Sequence, residues 1–380
     1  MAIEKINIEK FLALAKQHPV IDVRSPGEYN HAHIPGALNL PLFTDEERKI
    51  VGTVYKQESR EKAIKIGLDF FGPKMRGMVE EIESIVQSRE PGTDPRLMTH
   101  YSLLIYCWRG GMRSAGVAWL MDLYGFKVYT LAGGYKKFRN YVLDTFRLPF
   151  HFNILGGYTG SGKTEILSSL KQQGETVIDL EELAQHKGSA FGNIGMPEQP
   201  RQEMFENLLA LELLEKSIEK IENGKWKMGR ESFPSLSLFS THHLPSIWLE
   251  DESQRIGDIN LPHEFWKAIR QSPVYFLDIP FEERLKRVTE EYGRLDSEKI
   301  QEAITRIQKR LGSLEAKNAI HFLMENNIIE CFRILLKYYD KWYLKSLHNR
   351  ENLNSLLLNI PCEAVGLQNA KHLRPQAIIS

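Results

Sequence analysis

The sequence predicts an α/β protein made of two parallel-sheet domains, followed by a helical C-terminal region. Short apolar runs alternate with segments of helical spacing, which is the pattern of parallel strands joined by crossover helices. A complete phosphate-binding motif follows one of these runs. The length of 380 residues is enough for two hydrophobic cores.

The first domain, residues 1–147, contains three predicted strands. Val20–Val23 is a buried-strand run before a turn-rich segment, and Ser102–Cys107 is a second run that ends at a cysteine. A helical pattern over 113–124 comes next, and the third strand, Phe126–Leu131, ends at a Gly-Gly pair. Strands and helices in this order predict a parallel sheet.

The second domain, residues 148–280, begins after a break near Leu148-Pro149. The spacing from 281 to 380 is helical, so we expect a helical C-terminal region that packs on this domain. The predicted strands of the second domain are Phe152–Gly157, Thr176–Leu180, Ser246–Asp251 and Val274–Ile279.

The composition narrows the class of protein. A hydrophobic share of 42%, no apolar run of about eighteen residues and three cysteines predict a soluble, cytoplasmic protein without membrane spans or a disulfide framework. Basic and acidic residues are balanced at 49 each, so a nucleic-acid partner would need a local basic surface. Two stretches could form one: Lys136, Lys137 and Arg139, and Arg306, Lys309 and Arg310.

Cys107 is the first candidate catalytic residue. It lies in the stretch CWRGGMRS, between a predicted strand end and a predicted helix start. Backbone N–H groups at a helix N-terminus bind anions and lower the pKa of a thiol, and Arg109 and Arg113 add forked donors for an oxyanion. A buried, inert cysteine is the alternative, which the glycines and arginines of the stretch disfavour.

Two stretches in this domain carry a resemblance to rhodanese domains. Ile21–Pro41, IDVRSPGEYNHAHIPGALNLP, is similar to their N-terminal signature, and Cys107 lies in the rhodanese position. The resemblance implies that Cys107 carries sulfur or selenium covalently and that Asp22 and Arg24 are structural partners. The loop from Cys107 to Arg113 holds seven residues rather than six, as in rhodanese-like phosphatases, and a larger loop suits a tetrahedral anion.

The second candidate site is the P-loop GYTGSGKT, Gly157–Thr164, which fits G-x-x-x-x-G-K-[ST] completely. Its glycines allow backbone N–H groups to surround a phosphate, Lys163 reaches the outer phosphate, and Thr164 is a possible Mg²⁺ ligand. The predicted phosphate or diphosphate ligands are Gly157, Gly160, Ser161, Gly162, Lys163 and Thr164. Asp179, Asp251 and Asp278 compete for a second acidic role, and the arginines of 278–287 resemble those that close on phosphate in small-molecule kinases.

The combination of both motifs resembles the bacterial tRNA 2-selenouridine synthase family over nearly the whole chain. Stretches outside the two motifs carry the resemblance as well, among them LAGGYKKFR, HKGSAFG and LEDESQRIG. The resemblance implies replacement of the sulfur of wobble 2-thiouridine by selenium from selenophosphate, through a geranylated intermediate made from geranyl diphosphate. It implies a transferase with no tightly bound cofactor, whose selenophosphate ligands are Trp108, Arg109, Gly110, Gly111, Met112 and Arg113 around Cys107.

The expected partners are tRNA, through an anticodon loop with 2-thiouridine, and the enzyme that produces selenophosphate. Candidate tRNA contacts are Trp108, Tyr158, Phe191, the segment 231–248 and the basic segment near Arg306. Four other functions stay open: a P-loop kinase with a regulatory rhodanese domain, an ATP-dependent sulfurtransferase, a phosphatase, and an RNA-binding adaptor.

Overall fold

The structure is a computed structural model that describes residues 3–89, 102–189, 192–223, 236, 244–293 and 296–373. The chain divides into two compact units. The first contains the described residues up to Thr145 and the segment Glu206–Leu211. The second contains the described residues of Phe146–Phe205, Glu212–Lys225 and His243–Ser380. Among the described helices, none has the length and apolar character needed to cross a membrane.

The first unit is built on a parallel sheet of five strands. The strands are β1 (Glu4–Ile6), β2 (Val20–Asp22), β3 (Leu38–Asn39), β4 (Ser102–Tyr106) and β5 (Lys127–Leu131). Their order across the sheet is β1-β5-β4-β2-β3. All three strands predicted for this domain are confirmed, whereas β1 and β3 are too short to show a hydrophobic pattern. Every residue of β4 is buried, as expected for a central parallel strand covered on both faces.

Helices cover this sheet and place its core beside the cysteine. Ile105 of the sheet packs in one cluster with Phe71, Ile82 and Val117, and Cys107 belongs to the same cluster. The helices are α1 (Ile8–Ala15), α2 (Pro26–His31), α3 (Asp45–Gln57), α4 (Arg60–Phe71), α5 (Met75–Arg89), α6 (Met112–Tyr124) and α7 (Gly134–Thr145), with a 3-10 turn at Gly72–Lys74.

The second unit contains another parallel sheet of five strands. The strands are β6 (His151–Gly157), β7 (Thr176–Val177), β8 (Ser246–Glu250), β11 (Val274–Asp278) and β12 (Leu357–Pro361), and a separate antiparallel pair is formed by β9 (Arg255–Ile256) and β10 (Ile259–Asn260). The order across the sheet is β12-β11-β6-β8-β7, so β6 lies between β11 and β8. The predicted strand Thr176–Leu180 is shorter than expected, because Asp179 caps a new helix by accepting a hydrogen bond from the Glu182 N–H.

The region from residue 281 is helical as far as Leu356, and β12 then returns to the sheet. β12 pairs in parallel with β11, with Val274 opposite Leu357 and Asp278 opposite Pro361. The helical patterning of this region did not reveal the strand. The helices from residue 163 onward are α8 (Lys163–Gln172), α9 (Leu180–Ala184), α10 (Gln202–Asn223), α11 (His263–Arg270), α12 (Phe281–Tyr292), α13 (Ser297–Leu311), α14 (Ser313–Met324), α15 (Ile328–His348) and α16 (Leu353–Leu356), with a 3-10 helix at Leu367–His372. All belong to the second unit except the part Glu206–Leu211 of α10.

Candidate functional site

Cys107 lies between the carboxyl end of β4 and the N-terminus of α6. Its Sγ atom lies 3.2 Å from Ser114 Oγ and accepts a hydrogen bond from the Gly111 N–H at 3.3 Å. Only 3% of the residue is exposed. The sulfur is therefore placed where unpaired N–H groups and the helix dipole favour a negative charge.

The surroundings of Cys107 favour its thiolate. Burial raises the pKa of the thiol, but hydrogen bonds from the Ser114 hydroxyl and from the N–H groups of Ser114 and Gly111, with the charge of Arg113, outweigh burial. The pKa consequently lies below its ordinary value. Because the thiolate is the nucleophilic form, the loop prepares Cys107 for covalent chemistry.

A Gly-Gly turn supports the cysteine loop through contacts between backbones. The Tyr135 N–H donates to the Cys107 carbonyl at 2.8 Å, and the Lys136 N–H donates to the Trp108 carbonyl at 3.0 Å. Gly134 has a φ of +59°, and a Cβ at this position would lie 2.2 Å from the Cys107 carbonyl oxygen. Only glycine fits such a contact, so the predicted LAGGYKKFR stretch shapes the cysteine loop directly.

The two arginines of the loop differ in their surroundings. Arg109 is exposed and has no hydrogen bond or ion pair with any residue that the structure describes. Arg113 forms an ion pair with Glu28, with 2.6 Å between Nη1 and Oε2, and Arg48 lies 3.6 Å from the same oxygen. Arg109 is thus available to an anion, whereas Arg113 already shares its charge with a carboxylate.

The other predicted loop ligands form the rim of the same cup. Trp108 and Met112 are 37% and 49% exposed, and Gly110 has a φ of +62° that lets the chain turn above the Gly-Gly pair. Gly111 supplies the N–H group that faces the sulfur. The loop from Trp108 to Arg113 therefore provides an N–H group at the sulfur of Cys107 and an exposed guanidinium at Arg109.

The predicted structural partnership of Asp22 and Arg24 is confirmed. Both side chains are buried, and Arg24 Nη2 lies 2.6 Å from Asp22 Oδ2 and also donates to the Ala32 carbonyl at 2.7 Å. The guanidinium lies 4.0 Å from the centroid of the Tyr135 ring. The pair holds the signature segment against the first turn of α7 and does not face the thiol.

In the second unit, the P-loop connects β6 to α8. Lys163 Nζ donates to the Gly157 carbonyl at 2.9 Å and lies 3.4 Å from Glu250 Oε1. Gly160 and Gly162 have φ values of +81° and +75°, and the Ser161 hydroxyl donates to the Tyr158 carbonyl at 2.7 Å. The loop therefore has the curled backbone that directs N–H groups toward a phosphate.

The acidic residue beside Thr164 is Glu250, at the end of β8. The Thr164 hydroxyl donates to Glu250 Oε2 at 3.3 Å. The expectation that Asp179, Asp251 or Asp278 has this role is wrong. Asp179 caps α9, Asp251 accepts hydrogen bonds from Tyr343 and Arg350, and Asp278 lies 3.3 Å from the Asn359 side chain.

Two further carboxylates join Glu250 in one cluster. Oxygen atoms of Glu181, Glu250 and Glu252 lie within 4.8 Å of one another. Burial and the charge of Glu250 raise the pKa of Glu181 to about 8, and the same influences raise the pKa of Glu252 well above its ordinary value. The cluster thus resists carrying three negative charges, and sequence reasoning missed it because Glu181 is distant along the chain from Glu250 and Glu252.

The donor set beside the P-loop fits a hard cation. A P-loop fold implies Mg²⁺ next to the bound phosphates, and Mg²⁺ prefers oxygen ligands. Thr164 Oγ1 and the carboxylates of Glu250, Glu181 and Glu252 supply such oxygens. A bound cation would also relieve the charge repulsion within the cluster.

A side chain of α15 fixes the start of the P-loop. The Gly157 N–H donates to Tyr343 Oη at 3.1 Å, and this hydroxyl donates to Asp251 Oδ2 at 2.7 Å. Arg350 also binds Asp251. The C-terminal helices therefore position the backbone of the phosphate site.

The arginines of α12 support the loop in different ways. Arg284 is buried, pairs with Asp340 at 2.8 Å and donates to the Thr159 carbonyl at 3.2 Å. Its guanidinium is thus bound to Asp340 and to the backbone of the P-loop. Arg287 faces the cleft and pairs with Glu165.

The P-loop opens into a cleft with a volume of about 1680 Å³. The half-buried part of its lining, which we call the floor, includes Lys163 of the P-loop and the three carboxylates; the exposed part, which we call the mouth, includes side chains from α13 and α15. Arg306, Lys309 and Arg310, one of the two basic stretches predicted from the sequence, lie at this mouth. The volume is large enough for a ligand bigger than a diphosphate.

The remaining candidates for tRNA contact lie in different surroundings. Tyr158 packs against Phe276, with 5.2 Å between the ring centroids, so its ring takes part in aromatic packing within the second unit. Arg139 pairs with Glu206, whereas Lys136 and Lys137 are exposed. Phe191 and nearly all of 231–243 lie outside the described residues.

Two family models match the chain. Residues 7–141 match the model of the rhodanese-like domain. Residues 150–235 and 234–357 match the model of the tRNA 2-selenouridine synthase AAA domain. The two matches cover both candidate sites.

Curated relatives extend over most of the chain. A tRNA 2-selenouridine synthase of Bdellovibrio bacteriovorus is 34% identical and aligns with 92% of this chain and 94% of its own. One from a Sulfurovum species is 33% identical, with coverages of 86% and 87%. Among solved structures, the N-terminal domain of a putative ATP/GTP binding protein from Clostridium difficile 630 is 39% identical, covers 37% of this chain and 99% of its own, and has a TM-score of 0.30.

Proposed function

The chain belongs to the tRNA 2-selenouridine synthase family, and we propose that it replaces the sulfur of wobble 2-thiouridine in tRNA by selenium. One observation carries the proposal: a single chain contains a thiol with a lowered pKa and a P-loop whose Lys163 and Thr164 are in place. Each site suits one phosphate-bearing substrate.

The P-loop is proposed to bind the diphosphate of geranyl diphosphate. The loop N–H groups and Lys163 hold the phosphate oxygens, while Thr164 and Glu250 would hold Mg²⁺, which supplies further charge neutralisation of the leaving diphosphate when bound. The thiocarbonyl sulfur of the nucleoside forms a bond to the geranyl carbon as the carbon–oxygen bond breaks. Diphosphate leaves with the bonding electrons, and N3 of the uridine loses its proton.

The cysteine loop is proposed to bind selenophosphate. Arg109 and the loop N–H groups hold the phosphate oxygens. Selenide-level selenium cannot join the Cys107 sulfur without an oxidant, so the Cys107 thiolate instead attacks phosphorus, forms a cysteinyl phosphate and releases selenium as hydrogen selenide anion when the P–Se bond breaks. The hydrogen selenide anion forms a bond to C2 as the carbon–sulfur bond breaks, and the geranylated sulfur leaves as geranylthiol with the proton from selenium. Water then cleaves the S–P bond of the cysteinyl phosphate and releases phosphate and the Cys107 thiol. Over the whole exchange the oxidation level of selenium is unchanged.

Alkylation explains why two sites are useful in one enzyme. The sulfur of 2-thiouridine is a poor leaving group, and its geranyl thioether leaves more easily as a thiol. The enzyme is thus a transferase that acts on tRNA in the cytoplasm. The enzyme that makes selenophosphate is its expected partner, because free selenophosphate is easily lost to water.

Nucleoside mass spectrometry tests the proposal with the full chain, thiolated tRNA, geranyl diphosphate and selenophosphate. We expect geranylated 2-thiouridine without selenophosphate and 2-selenouridine with it. Absence of both products would reject the function. Phosphoryl transfer from ATP that survives Cys107→Ser would favour the P-loop kinase instead.

A further inference from the structure

The mouth of the P-loop cleft carries a surface that the proposed chemistry does not use. Three basic residues of α13, Arg306, Lys309 and Arg310, face two aromatic residues of α15, Tyr338 and Trp342. We call these five residues the mouth surface. They line the same cleft as the P-loop and belong to the same compact unit.

The basic part of the mouth surface carries positive charge that forms no ion pair with the residues described. The C-terminal half of α13 and the following turn, residues 303–314, contain no acidic residue. Arg306, Lys309 and Arg310 are exposed, and Arg306 reaches only the Asn193 side chain at 3.4 Å. Lys309 and Arg310 form no ion pair with any residue in the described ranges.

The aromatic part lies beside this charge and is open to solvent. Trp342 is 40% exposed. Tyr338 and Trp342 meet edge to face, with 6.3 Å between ring centroids, and Lys345 Nζ lies 5.0 Å from the Trp342 ring. Tyr338 is half-buried and interacts with Arg310. An exposed ring next to cations forms the combination that binds unpaired nucleotides, because bases stack on the ring while phosphates meet the cations.

The distribution of charge within the cleft gives a direction to such a ligand. The carboxylates of Glu181, Glu250 and Glu252 lie on the floor, whereas the basic residues lie at the mouth. A polynucleotide backbone is attracted by the exposed cations at the mouth. A neutral base that leaves its stack can still extend inward toward the P-loop.

We propose that the mouth surface binds unpaired nucleotides of the RNA substrate and presents one base to the P-loop. The assignment rests on the proposed function, since it names the surface through which that substrate is held. A duplex would engage only the cations, because its bases are stacked on one another. The aromatic pair therefore selects a single-stranded loop.

The charge contribution is tested by fluorescence anisotropy with the full chain and a labelled, unmodified anticodon stem-loop RNA of seventeen nucleotides. We expect Lys309→Gln/Arg310→Gln to weaken binding about tenfold at 0.15 M salt and to reduce the salt slope by about 1.4, since roughly 0.7 counterions are released per single-strand phosphate. Lys299→Gln/Lys317→Gln is the matched control, because both lysines are exposed but do not line the cleft. Equal losses in the two double variants would overturn the assignment.

The stacking contribution is tested with Trp342→Ala and Trp342→Phe. Alanine should weaken binding of the stem-loop about tenfold, whereas phenylalanine should restore most of it. A blunt duplex of the same stem should bind both variants and the wild type equally. Trp119→Ala, at a tryptophan that is 49% exposed in the other unit, should bind as the wild type does.

Failure of this inference is distinguishable from failure of the proposed function. If the wild type modifies thiolated tRNA while the Trp342 and Lys309/Arg310 variants bind and react as it does, the mouth surface is not the RNA site. If the wild type yields no modified nucleoside, the proposed function fails, whatever the binding data show. Circular dichroism and thermal melting of each variant verify that it is folded.

Discussion

The cysteine loop and the P-loop are both anion sites at the junction of a parallel strand and a helix, yet their surroundings are opposite in charge. Cys107 is bordered by the hydrogen-bond donors Ser114 and Gly111 and is influenced by the charge of Arg113. Lys163 of the P-loop instead lies against Glu250, within a cluster of three carboxylates. The first site suits an anion alone, and the second suits an anion that arrives with a cation.

Because of this difference, the two steps of the proposed reaction have different chemical requirements. The thiol site needs a thiolate and a small oxyanion, so it depends on the backbone geometry that supports Cys107. The P-loop site needs a diphosphate and a metal ion, so it depends on the protonation of its carboxylates. Substitutions can therefore alter either the surroundings of Cys107 or the charge at the P-loop.

The largest effect should come from removing the central residue of each site. Lys163→Ala should lower geranylation of thiolated tRNA about a thousandfold, because the amine holds the leaving diphosphate. Cys107→Ala should leave geranylation intact and abolish selenium incorporation. Nucleoside mass spectrometry measures both steps, and loss of both steps in each folded variant would break the division of labour.

The next largest effect concerns the support of the cysteine loop. Gly134→Ala should lower the free energy of unfolding by about 2 kcal/mol and abolish selenium incorporation, because its Cβ would collide with the Cys107 carbonyl. Gly111→Ala is the control, since a Cβ there would meet no atom within 4 Å. Thermal melting and nucleoside analysis distinguish the two, and equal behaviour would contradict the role given to the Gly-Gly turn.

A smaller, pH-dependent effect is expected at Ser114. Its hydroxyl lowers the pKa of Cys107, so Ser114→Ala should raise that pKa and move the rising limb of the selenium-transfer rate to higher pH. The rate at pH 7 should fall several-fold and recover in alkaline buffer, while geranylation at the P-loop keeps its pH profile. An unshifted profile would show that Ser114 does not set the reactivity of the thiol.

The smallest effect should appear at the carboxylate cluster. Because folding raises the pKa of Glu181 to about 8, the folded protein binds this proton more tightly than the unfolded chain does. Stability from this group is complete below pH 4.5 and is lost as pH rises toward 8. Glu181→Gln should therefore match the wild type at pH 4.5 and melt about 3 °C higher at pH 8.5 in EDTA. An equal difference at both pH values would contradict the assigned cause.

The sequence predicted the two sites but not the partners that complete them. The strand Ser246–Asp251 was predicted, but three aspartates, Asp251 among them, were named as candidate acidic partners of the P-loop. The carboxylate that the structure places beside Thr164 is that of Glu250. Neighbouring residues of a strand point to opposite faces, so an uncertainty of one residue decides which carboxylate reaches the P-loop. The pairing of Arg113 with Glu28 was likewise hidden, because the two residues lie 85 positions apart and meet only after folding.

The length of the hydrophobic pattern in each strand explains the other differences between the predicted and the observed strands. β12 was missed because its five residues follow a long helical region and carry no alternation that distinguishes them from it. The long, continuously buried runs of β4 and β6 were recognised, since only a central parallel strand is apolar on both faces. In this chain, motifs and central strands can therefore be predicted from the sequence, whereas edge strands and distant ion pairs cannot.

The position of β12 has a consequence for the order in which the protein matures on the ribosome. The described strands of the first sheet all precede residue 132, whereas the second sheet is completed only when Leu357–Pro361 has been synthesised, 79 residues after β11. At about 5–20 residues per second, the edge of β11 stays unpaired for many seconds after it emerges. We therefore expect the nascent chain to form its thiol site first. A product of premature termination before β12 would retain that sheet and lack a finished phosphate site.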